Sequence, residues 1–199
     1  PKTSIPLKHT NKFTLLVSVL LSAQCTDVNV NNVTKNIYPK YNKPEHFAKL
    51  GRKKIEILIK KIGLFRVKAK SVYLMSKLLI KNHGGRVPNS FEELEKLPGV
   101  GHKTASVVMS QGFGQPAFPV DTHIHRLAQR WGLTNGKNVV QTENDLKKLF
   151  PEKSWNKLHL QMIYYGREYC KARDCYGIGC KICTACYPNR RKKIKTIKA

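Results

Sequence analysis

Apolar residues along this chain repeat with the spacing of α-helices and not with the alternation of strands. Isoleucine and leucine at positions 55, 58, 59 and 62 fall on one face of a helix predicted over residues 52–62. Apolar residues at 72, 75, 78 and 79 repeat this pattern over residues 67–82, and residues 13–24 are apolar nearly all round, which predicts a buried helix. Because no segment of useful length has the period of a strand, we predict an all-α protein.

Capping residues predict where several of these helices begin. Ser90 precedes a short helix that ends near Leu97, and Asp121 precedes a helix over residues 122–131. Asp27 is placed in the same way before a helix over residues 28–38. Further helices are predicted over residues 104–111, 139–150 and 155–169.

The charge of the chain indicates the class of molecule that it binds. Its 199 residues include 37 Lys and Arg against 12 Asp and Glu, which leaves a formal net charge of +25. An excess this large repels itself and is more often matched by nucleic acid than left to solvate a surface. A 41% apolar content excludes a disordered tail protein, and no apolar run approaches the length of a transmembrane helix. We therefore expect an intracellular protein that binds nucleic acid and no membrane.

A proline and two glycines, Pro98, Gly99 and Gly101, separate two of the predicted helices. Such a turn leaves backbone N–H groups free at the start of the second helix, where the helix dipole adds positive potential. It can therefore hold a phosphate of any sequence. Lys103 lies just inside the same helix start, and the positive surroundings there favour a neutral amine that could act as a nucleophile.

Lys103 and Asp121 each have a plain structural interpretation as well. A lysine in the first turn of a surface helix is usually solvated and inert, and an aspartate ahead of a helix is most often a cap. The pair carries more weight than either residue, because a carboxylate could take a proton from the lysine or stabilise positive charge on a sugar. The spacing leaves open whether the two side chains meet.

Five of the six cysteines crowd into one C-terminal loop, at positions 170, 175, 180, 183 and 186. A tight group of cysteines in a basic intracellular chain indicates a metal or iron–sulfur site and not disulfides. Four thiolates from one short loop can bind either a four-iron, four-sulfur cluster or a zinc ion. Cys25 stands apart and is most simply a small buried residue.

The hairpin sequence LPGVGHKTA at 97–105, followed by VDTH at 120–123, resembles the helix-hairpin-helix (HhH-GPD) superfamily of DNA glycosylases, and within it the endonuclease III family. The likeness extends to LLSAQCTD at 20–27, to IGL at 62–64 and to the Gly-Arg pair before Cys170. It covers the chain from roughly residue 13 to residue 186.

The resemblance implies two helical lobes with DNA in the cleft between them. Residues 23–117 would form a barrel-like lobe with the helix-hairpin-helix motif. Residues 1–22 and 118–199 would form a discontinuous lobe with the cysteine loop.

The resemblance also implies a bifunctional DNA glycosylase and AP lyase of base excision repair. Lys103 matches the lysine that attacks C1′ of a flipped-out, damaged pyrimidine nucleotide and forms a Schiff base, after which β-elimination cuts the strand 3′ to the abasic site. Asp121 matches the aspartate that helps to activate this lysine and stabilises the cationic sugar. Related monofunctional enzymes generally lack the lysine, so its presence favours the lyase.

Further residues are carried over as DNA contacts. Gln24 and Leu64 match the residues that fill the gap left by the flipped base, although the pattern alone favours a polar helix end for Gln24 and core packing for Leu64. Gly99 and Gly101 belong to the DNA-binding turn. For His123, stacking near the pocket and packing within its helix remain open.

The cysteine loop departs from the family pattern, C-x6-C-x2-C-x5-C. With Cys170, Cys180, Cys183 and Cys186 as ligands of a 4Fe-4S cluster, the spacing is C-x9-C-x2-C-x2-C. Cys175 is then spare, although it could replace one of the four, and zinc remains an alternative to iron–sulfur.

Two other classes of protein explain part of the sequence. A non-catalytic DNA-binding module accounts for the charge and the hairpin but not for Lys103 together with Asp121. A metal-dependent structural or redox protein accounts for the cysteines but not for the hairpin. We expect a monomer that acts on double-stranded DNA with damaged pyrimidines or abasic sites. We expect it inside the cell, in the compartment that holds the DNA.

Overall fold

The computed structural model describes residues 4–199, and over these residues it contains helices and no strand. This confirms the predicted all-α class. The helices are α1 (Lys12–Ser22), α2 (Asp27–Thr34), α3 (Pro44–Leu58), α4 (Phe65–His83), α5 (Phe91–Glu95), α6 (His102–Phe113), α7 (Thr122–Arg130), α8 (Val139–Leu149), a 3₁₀ turn (Glu152–Ser154), α9 (Trp155–Glu168) and α10 (Lys181–Cys186).

The chain divides into two compact units. Ile5–Gly114 forms one, and Gln115–Ala199 together with Ser4 forms the other. The first unit is built around α1, whose residues from 13 to 21 are all buried and which packs on α2, α4 and α6. In the second unit α7 packs on α8 and α9, and the buried cysteines join its apolar core.

This division differs from the predicted lobes at the N-terminus. The prediction placed residues 1–22 with 118–199, whereas α1 lies in the unit that contains the hairpin. The physical reason is that α1 is buried nearly all round and contributes seven residues to the core of Ile5–Gly114, between Phe13 and Leu21. Residues 1–3 lie outside the described part of the chain.

Local signals in the sequence explain most helix ends. Gly51 has a positive φ of 73° and kinks α3 at that point. Gly84, with φ 55°, ends α4, whose buried face includes Val72, Met75 and Leu79 as predicted. The predicted cap Asp27 is wrong: Thr26 caps α2, because its hydroxyl accepts a hydrogen bond from the backbone N–H of Asn29 at 3.3 Å.

Across the described residues, no helix is both long and apolar enough to cross a membrane.

Candidate functional site

The hairpin between α5 and α6 presents the start of α6 to solvent. Leu97 and Val100 are buried and are joined by a hydrogen bond from the Val100 N–H to the Leu97 carbonyl at 3.0 Å, which closes the turn. Gly101 is the N-cap of α6 and supplies no side-chain hydrogen bond to the first turn. A start without a side-chain cap, as in this 12-residue helix, favours an anion as a partner for the N–H groups of the first turn.

The two glycines of the turn serve different needs. Gly99 has a φ of 80°, and a Cβ there would lie 2.8 Å from the Ser71 Cβ and 3.1 Å from the Leu20 Cδ1, so the fold requires glycine. Gly101 has a φ of −97°, and a Cβ there would have no neighbour within 4 Å. The fold itself does not require glycine at Gly101, which is consistent with close approach of a ligand backbone at this position.

Lys103 is exposed on the first turn of α6, two residues after the cap. His102, beside it, stacks on the ring of Phe91 at 5.7 Å and its Nδ1 lies 2.8 Å from a carboxylate oxygen of Glu95. These contacts join the start of α6 to α5. The amine of Lys103 is therefore held on a helix end that is fixed by its neighbours and open to solvent.

Asp121 caps α7 as the sequence predicts. Its Oδ1 accepts hydrogen bonds from the backbone N–H groups of His123 at 2.9 Å and Ile124 at 2.8 Å. Both cap bonds use the same oxygen, and the carboxylate is half-buried. Asp121 belongs to the unit Gln115–Ala199 and Lys103 to the unit Ile5–Gly114.

Two histidines lie near this cap. The His123 Nδ1 is 3.3 Å from a guanidinium nitrogen of Arg126, and its Cβ closely approaches Gly166 of α9, so His123 packs within its own unit. His159 is 1% exposed and donates from Nδ1 to the carbonyl of Asn156 at 3.1 Å. Burial lowers the pKa of His159 to about 4, although the Asn156 bond and the charge of Asp121 act to raise it.

The predicted wedge residues Gln24 and Leu64 lie on two loops that meet. Gln24 is exposed in the turn after α1, and Leu64 is 57% exposed just before α4. A Cβ placed on Gly63 would be 3.8 Å from the carbonyl oxygen of Gln24, so the two backbones are in contact. Core packing, the plain interpretation of Leu64, is therefore excluded by its exposure.

Four thiols gather in the core of the second unit. The Sγ atoms of Cys170, Cys175, Cys180 and Cys183 all lie within 4.8 Å of one another, and all four residues are buried. Cys170 and Cys183 are 3.8 Å apart, and Cys175 and Cys183 are 3.7 Å apart. We call these four residues the thiol group.

The thiol group differs from the predicted ligand set at one position. The prediction included Cys186 and left Cys175 spare, but Cys175 is buried with the other three thiols and Cys186 is exposed. The cause is local: Cys180 caps α10, its sulfur accepting from the Cys183 N–H at 3.5 Å, and Cys186 lies at the far end of that short helix. A chain spacing of C-x4-C-x4-C-x2-C results.

Arg130, the last residue of α7, anchors the loop that carries the thiols. It is 2% exposed and donates to the Cys170 sulfur at 3.3 Å, to the Lys171 carbonyl at 2.8 Å and to the Ala172 carbonyl at 2.9 Å. Arg126, one turn earlier, donates to the carbonyl of Cys170 at 3.0 Å. The helix that Asp121 begins therefore ends by holding the thiol group.

The four thiols of this group differ in how readily they ionise. Burial raises the pKa of Cys170 to about 12 and raises the pKa of Cys183 as well. Burial also acts to raise the pKa of Cys175, but hydrogen bonds from Cys170 and from the backbone of Gly179 and Gly177 lower it to about 6. Four ionised sulfurs this close together require positive charge between them. Four buried cysteines are the donor set of both iron–sulfur clusters and structural zinc, so the residues fit a metal centre.

Comparison with known proteins assigns the chain to a family. Residues 17–152 match the HhH-GPD superfamily of base excision DNA repair proteins. Endonuclease III of Bacillus subtilis (strain 168) is 41% identical over 196 residues, which cover 98% of this chain and 90% of that protein. The chain belongs to the HhH-GPD superfamily. Endonuclease III of Rickettsia prowazekii (strain Madrid E) is 45% identical over 183 residues, 92% of this chain and 85% of that protein.

A solved structure of this superfamily supports the same assignment. A trapped covalent intermediate between endonuclease III and DNA superposes with a TM-score of 0.86 at 40% identity and covers 93% of this chain and 90% of that one. The match extends over almost the whole length of both chains. This HhH-GPD member is accordingly a DNA glycosylase and AP lyase of the endonuclease III type, as the sequence predicted.

Some residues that matter to this HhH-GPD fold were missed by the sequence analysis. Arg130 lies three residues after Leu127, on the buried stripe of α7, and a charged residue at such a position is a signal for a buried anchor. Lys68 similarly precedes the apolar Ala69 and is buried in α4. Neither pattern identifies the hydrogen-bond partner of the buried side chain, which lies more than 35 residues away in the chain.

The hairpin glycines make a matched pair of substitutions. Gly99→Ala should lower the free energy of unfolding by roughly 2–4 kcal/mol. The alanine backbone would be strained at this positive φ, and its methyl group would clash with Ser71. Gly101→Ala should lower it by less than about 1 kcal/mol yet weaken binding to DNA, because it narrows the approach to α6. Denaturant unfolding and DNA titration measure the two effects. Equal loss of stability in both variants would contradict this assignment.

His159 predicts a dependence of stability on pH. Its pKa falls from an ordinary 6.5 to about 4 on folding, so between these values the unfolded chain binds more protons than the folded chain. The free energy of unfolding should therefore fall as the pH is lowered from about 6.5 to 4, with roughly 3 kcal/mol of the decrease due to His159. His159→Gln should flatten the profile, measured by denaturant unfolding at each pH. The exposed His9→Gln is the control, and identical profiles for all three proteins would refute the prediction.

Proposed function

We propose that this chain excises oxidised pyrimidines from duplex DNA and cuts the strand 3′ to the abasic site through a Schiff base on Lys103. The observation that carries the proposal is the position of Lys103. Its amine stands on an exposed helix start, directly after a turn that gives α6 no side-chain cap. Binding the phosphate fixes the register of the strand, and Lys103 is then within one turn of the bound backbone.

The chemistry follows from the amine. The Lys103 Nζ attacks C1′ of the deoxyribose, the bond from C1′ to the base breaks, and the base leaves with the electron pair. Loss of a proton from nitrogen and opening of the sugar ring give an iminium between Lys103 and C1′. The iminium acidifies C2′, and loss of a C2′ proton expels the 3′ phosphate as the C3′–O bond breaks. Water then releases the lysine.

Asp121 supplies negative charge to this reaction. Its carboxylate stabilises the positive charge that develops on the sugar and receives the proton of the attacking amine. The cap bonds from the N–H groups of His123 and Ile124 hold the carboxylate in one orientation. An aspartate that is already fixed needs no reorganisation when the charge appears.

Gln24 and Leu64 fill the gap that the damaged base leaves in the duplex when it is flipped out. Flipping a base out costs a few kcal/mol of stacking and pairing. An exposed apolar side chain beside an exposed amide can replace part of the lost stacking and hydrogen bonding. The double-stranded substrate follows from this role, since an unpaired strand offers no gap to fill.

The thiol group holds a [4Fe–4S] cluster in this proposal, with Cys170, Cys175, Cys180 and Cys183 as its ligands. Such a cluster supplies structural cross-linking of the loop and electron-transfer capacity. The cysteine loop, held by Arg130, presents exposed cationic residues such as Lys171 and Lys181 to the DNA backbone. No step at the sugar passes through the metal centre.

A single zinc ion is the second candidate for this centre, and one observation favours it. Four sulfurs at 2.3 Å from one tetrahedral ion stand about 3.8 Å apart. Two sulfur pairs of the thiol group are 3.7 and 3.8 Å apart, and all four sulfurs lie within 4.8 Å of one another. Held by the same four cysteines, a [4Fe–4S] cluster would instead bring four irons and inorganic sulfide to the site.

Borohydride trapping tests the proposed nucleophile. With duplex DNA that contains an abasic site, reduction of the Schiff base should leave a covalent protein–DNA adduct in the native chain and none in Lys103→Ala. The exposed Lys70→Ala is the control and should trap normally. Adduct formation by Lys103→Ala equal to the native chain would exclude Lys103 as the nucleophile.

Asp121→Asn separates the charge of this residue from its capping role. Asparagine caps helices as well as aspartate does, so the free energy of unfolding should change by less than about 0.5 kcal/mol. Base excision should nevertheless slow by about 10²-fold or more, measured under single-turnover conditions. An unaltered rate would leave Asp121 as a cap alone.

Substitution of two cysteines tests the ligand set. Cys175→Ser should lose the bound metal and weaken DNA binding, because it removes a buried thiolate, whereas Cys186→Ser should keep both. Metal content per chain, acid-labile sulfide and absorbance near 400 nm identify the centre. Four irons with sulfide and brown colour support the cluster, and one zinc without colour replaces it by the second candidate. Metal loss in Cys186→Ser with retention in Cys175→Ser would restore the ligand set with Cys186.

A further inference from the structure

Both proposed wedge residues are held in a strained backbone conformation. Gln24 has a φ of 52° and Leu64 a φ of 58°, in the left-handed region that side chains other than glycine rarely occupy. Each costs of order 1 kcal/mol and persists only where the surroundings enforce it. The contacts that enforce it are therefore part of how the two side chains are presented.

Lys68 fixes the turn that carries Gln24. Its side chain is buried at 5% exposure, and its Nζ donates to the carbonyls of Leu21 at 2.9 Å and Ala23 at 2.6 Å. These carbonyls belong to the C-terminal end of α1, where the helix dipole is negative and a cation is favoured. Lys68 lies one turn after Leu64, and its own N–H donates to the Leu64 carbonyl at 3.0 Å. One residue therefore contacts both loops.

Asn29 provides a second tie between the same loops. Its Nδ2 donates to the carbonyl of Lys61 at 3.0 Å and lies 3.3 Å from the sulfur of Cys25. Lys61 precedes Gly63 and Leu64, and Cys25 follows Gln24. Along the chain, the two ties flank the contact between Gly63 and the Gln24 carbonyl: Lys68 contacts Ala23 and Leu64, and Asn29 contacts Cys25 and Lys61.

We propose that Lys68 and Asn29 are positioning residues that join the Gln24 and Leu64 loops into one rigid wedge. Neither residue needs to touch DNA. They act by holding two strained turns in register, so that both side chains enter the duplex together when a base leaves it. This inference rests on the proposed wedge role of Gln24 and Leu64, and it names the internal contacts that this role depends on.

A double-mutant cycle tests the coupling. Lys68→Met, which keeps the length of the side chain and removes its charge, and Asn29→Ala should each slow excision from a fully paired duplex by about tenfold. Neither should slow it when the damaged base sits in an unpaired bubble, because no stack then has to be opened. In a Gln24→Ala background, Lys68→Met should have little further effect on the duplex. Lys68→Arg, which keeps two donors, should restore most of the rate.

Lys70→Met is the matched control, since Lys70 is exposed on the same helix. Equal slowing on duplex and bubble, or additive effects with Gln24→Ala, would overturn the positioning role. Asn29→Ala is the second, milder variant, and it keeps the test valid if Lys68→Met unfolds the first turns of α4.

Amide hydrogen exchange tests the ties without using activity. In the DNA-free protein, Lys68→Met and Asn29→Ala should speed exchange of the Cys25 and Ile62 amides, which Lys70→Met should leave unchanged. Faster exchange in a chain that excises no oxidised pyrimidine would support the ties while the proposed function fails. Unchanged exchange in an active chain would overturn the ties alone.

Discussion

In a helix that is buried on every side, the carbonyl groups of the last turn have no access to water and need hydrogen-bond donors from elsewhere in the protein. α1 is such a helix from residue 13 to residue 21, and at its end the carbonyls of Leu21 and Ala23 accept hydrogen bonds from the amine of Lys68. The lysine of α4 that satisfies them brings a charge into the core, which is tolerated because two carbonyls and the negative end of a helix surround it. The burial of α1 thereby determines where α4 must begin, and with it the loop that precedes α4.

Helix α7 is under a similar constraint at both ends. An aspartate satisfies the N–H groups at its start, and a buried arginine at its end satisfies the backbone of the cysteine loop. A short helix with both ends fixed cannot slide or rotate without breaking one set of bonds. The carboxylate proposed for catalysis and the cysteine loop are consequently fixed by opposite ends of the same helix.

The sequence predicted those features that depend on neighbours in the chain. The spacing of apolar residues predicted α3 and α4, and the cap at Asp121 was read from a single residue. The cap of α2 was missed by one position, because Thr26 and Asp27 are both good capping residues and only the backbone decides between them. For the cysteines, similarity of spacing favoured Cys186, whereas packing brings in Cys175, which sits on a loop whose path the pattern does not determine. Lys68 and Arg130 could not be predicted, because their partners lie 47 and 40 residues away.

The order of the two units along the chain has a consequence for biosynthesis. A ribosome completes Ile5–Gly114, with both wedge loops and the hairpin, more than fifty residues before it adds the first clustered cysteine, Cys170. Domains generally fold as they emerge, N-terminal part first. Under the proposed function, binding of a metal by the thiol group is then the final event of maturation, and a cell short of metal would accumulate chains whose hairpin is already assembled.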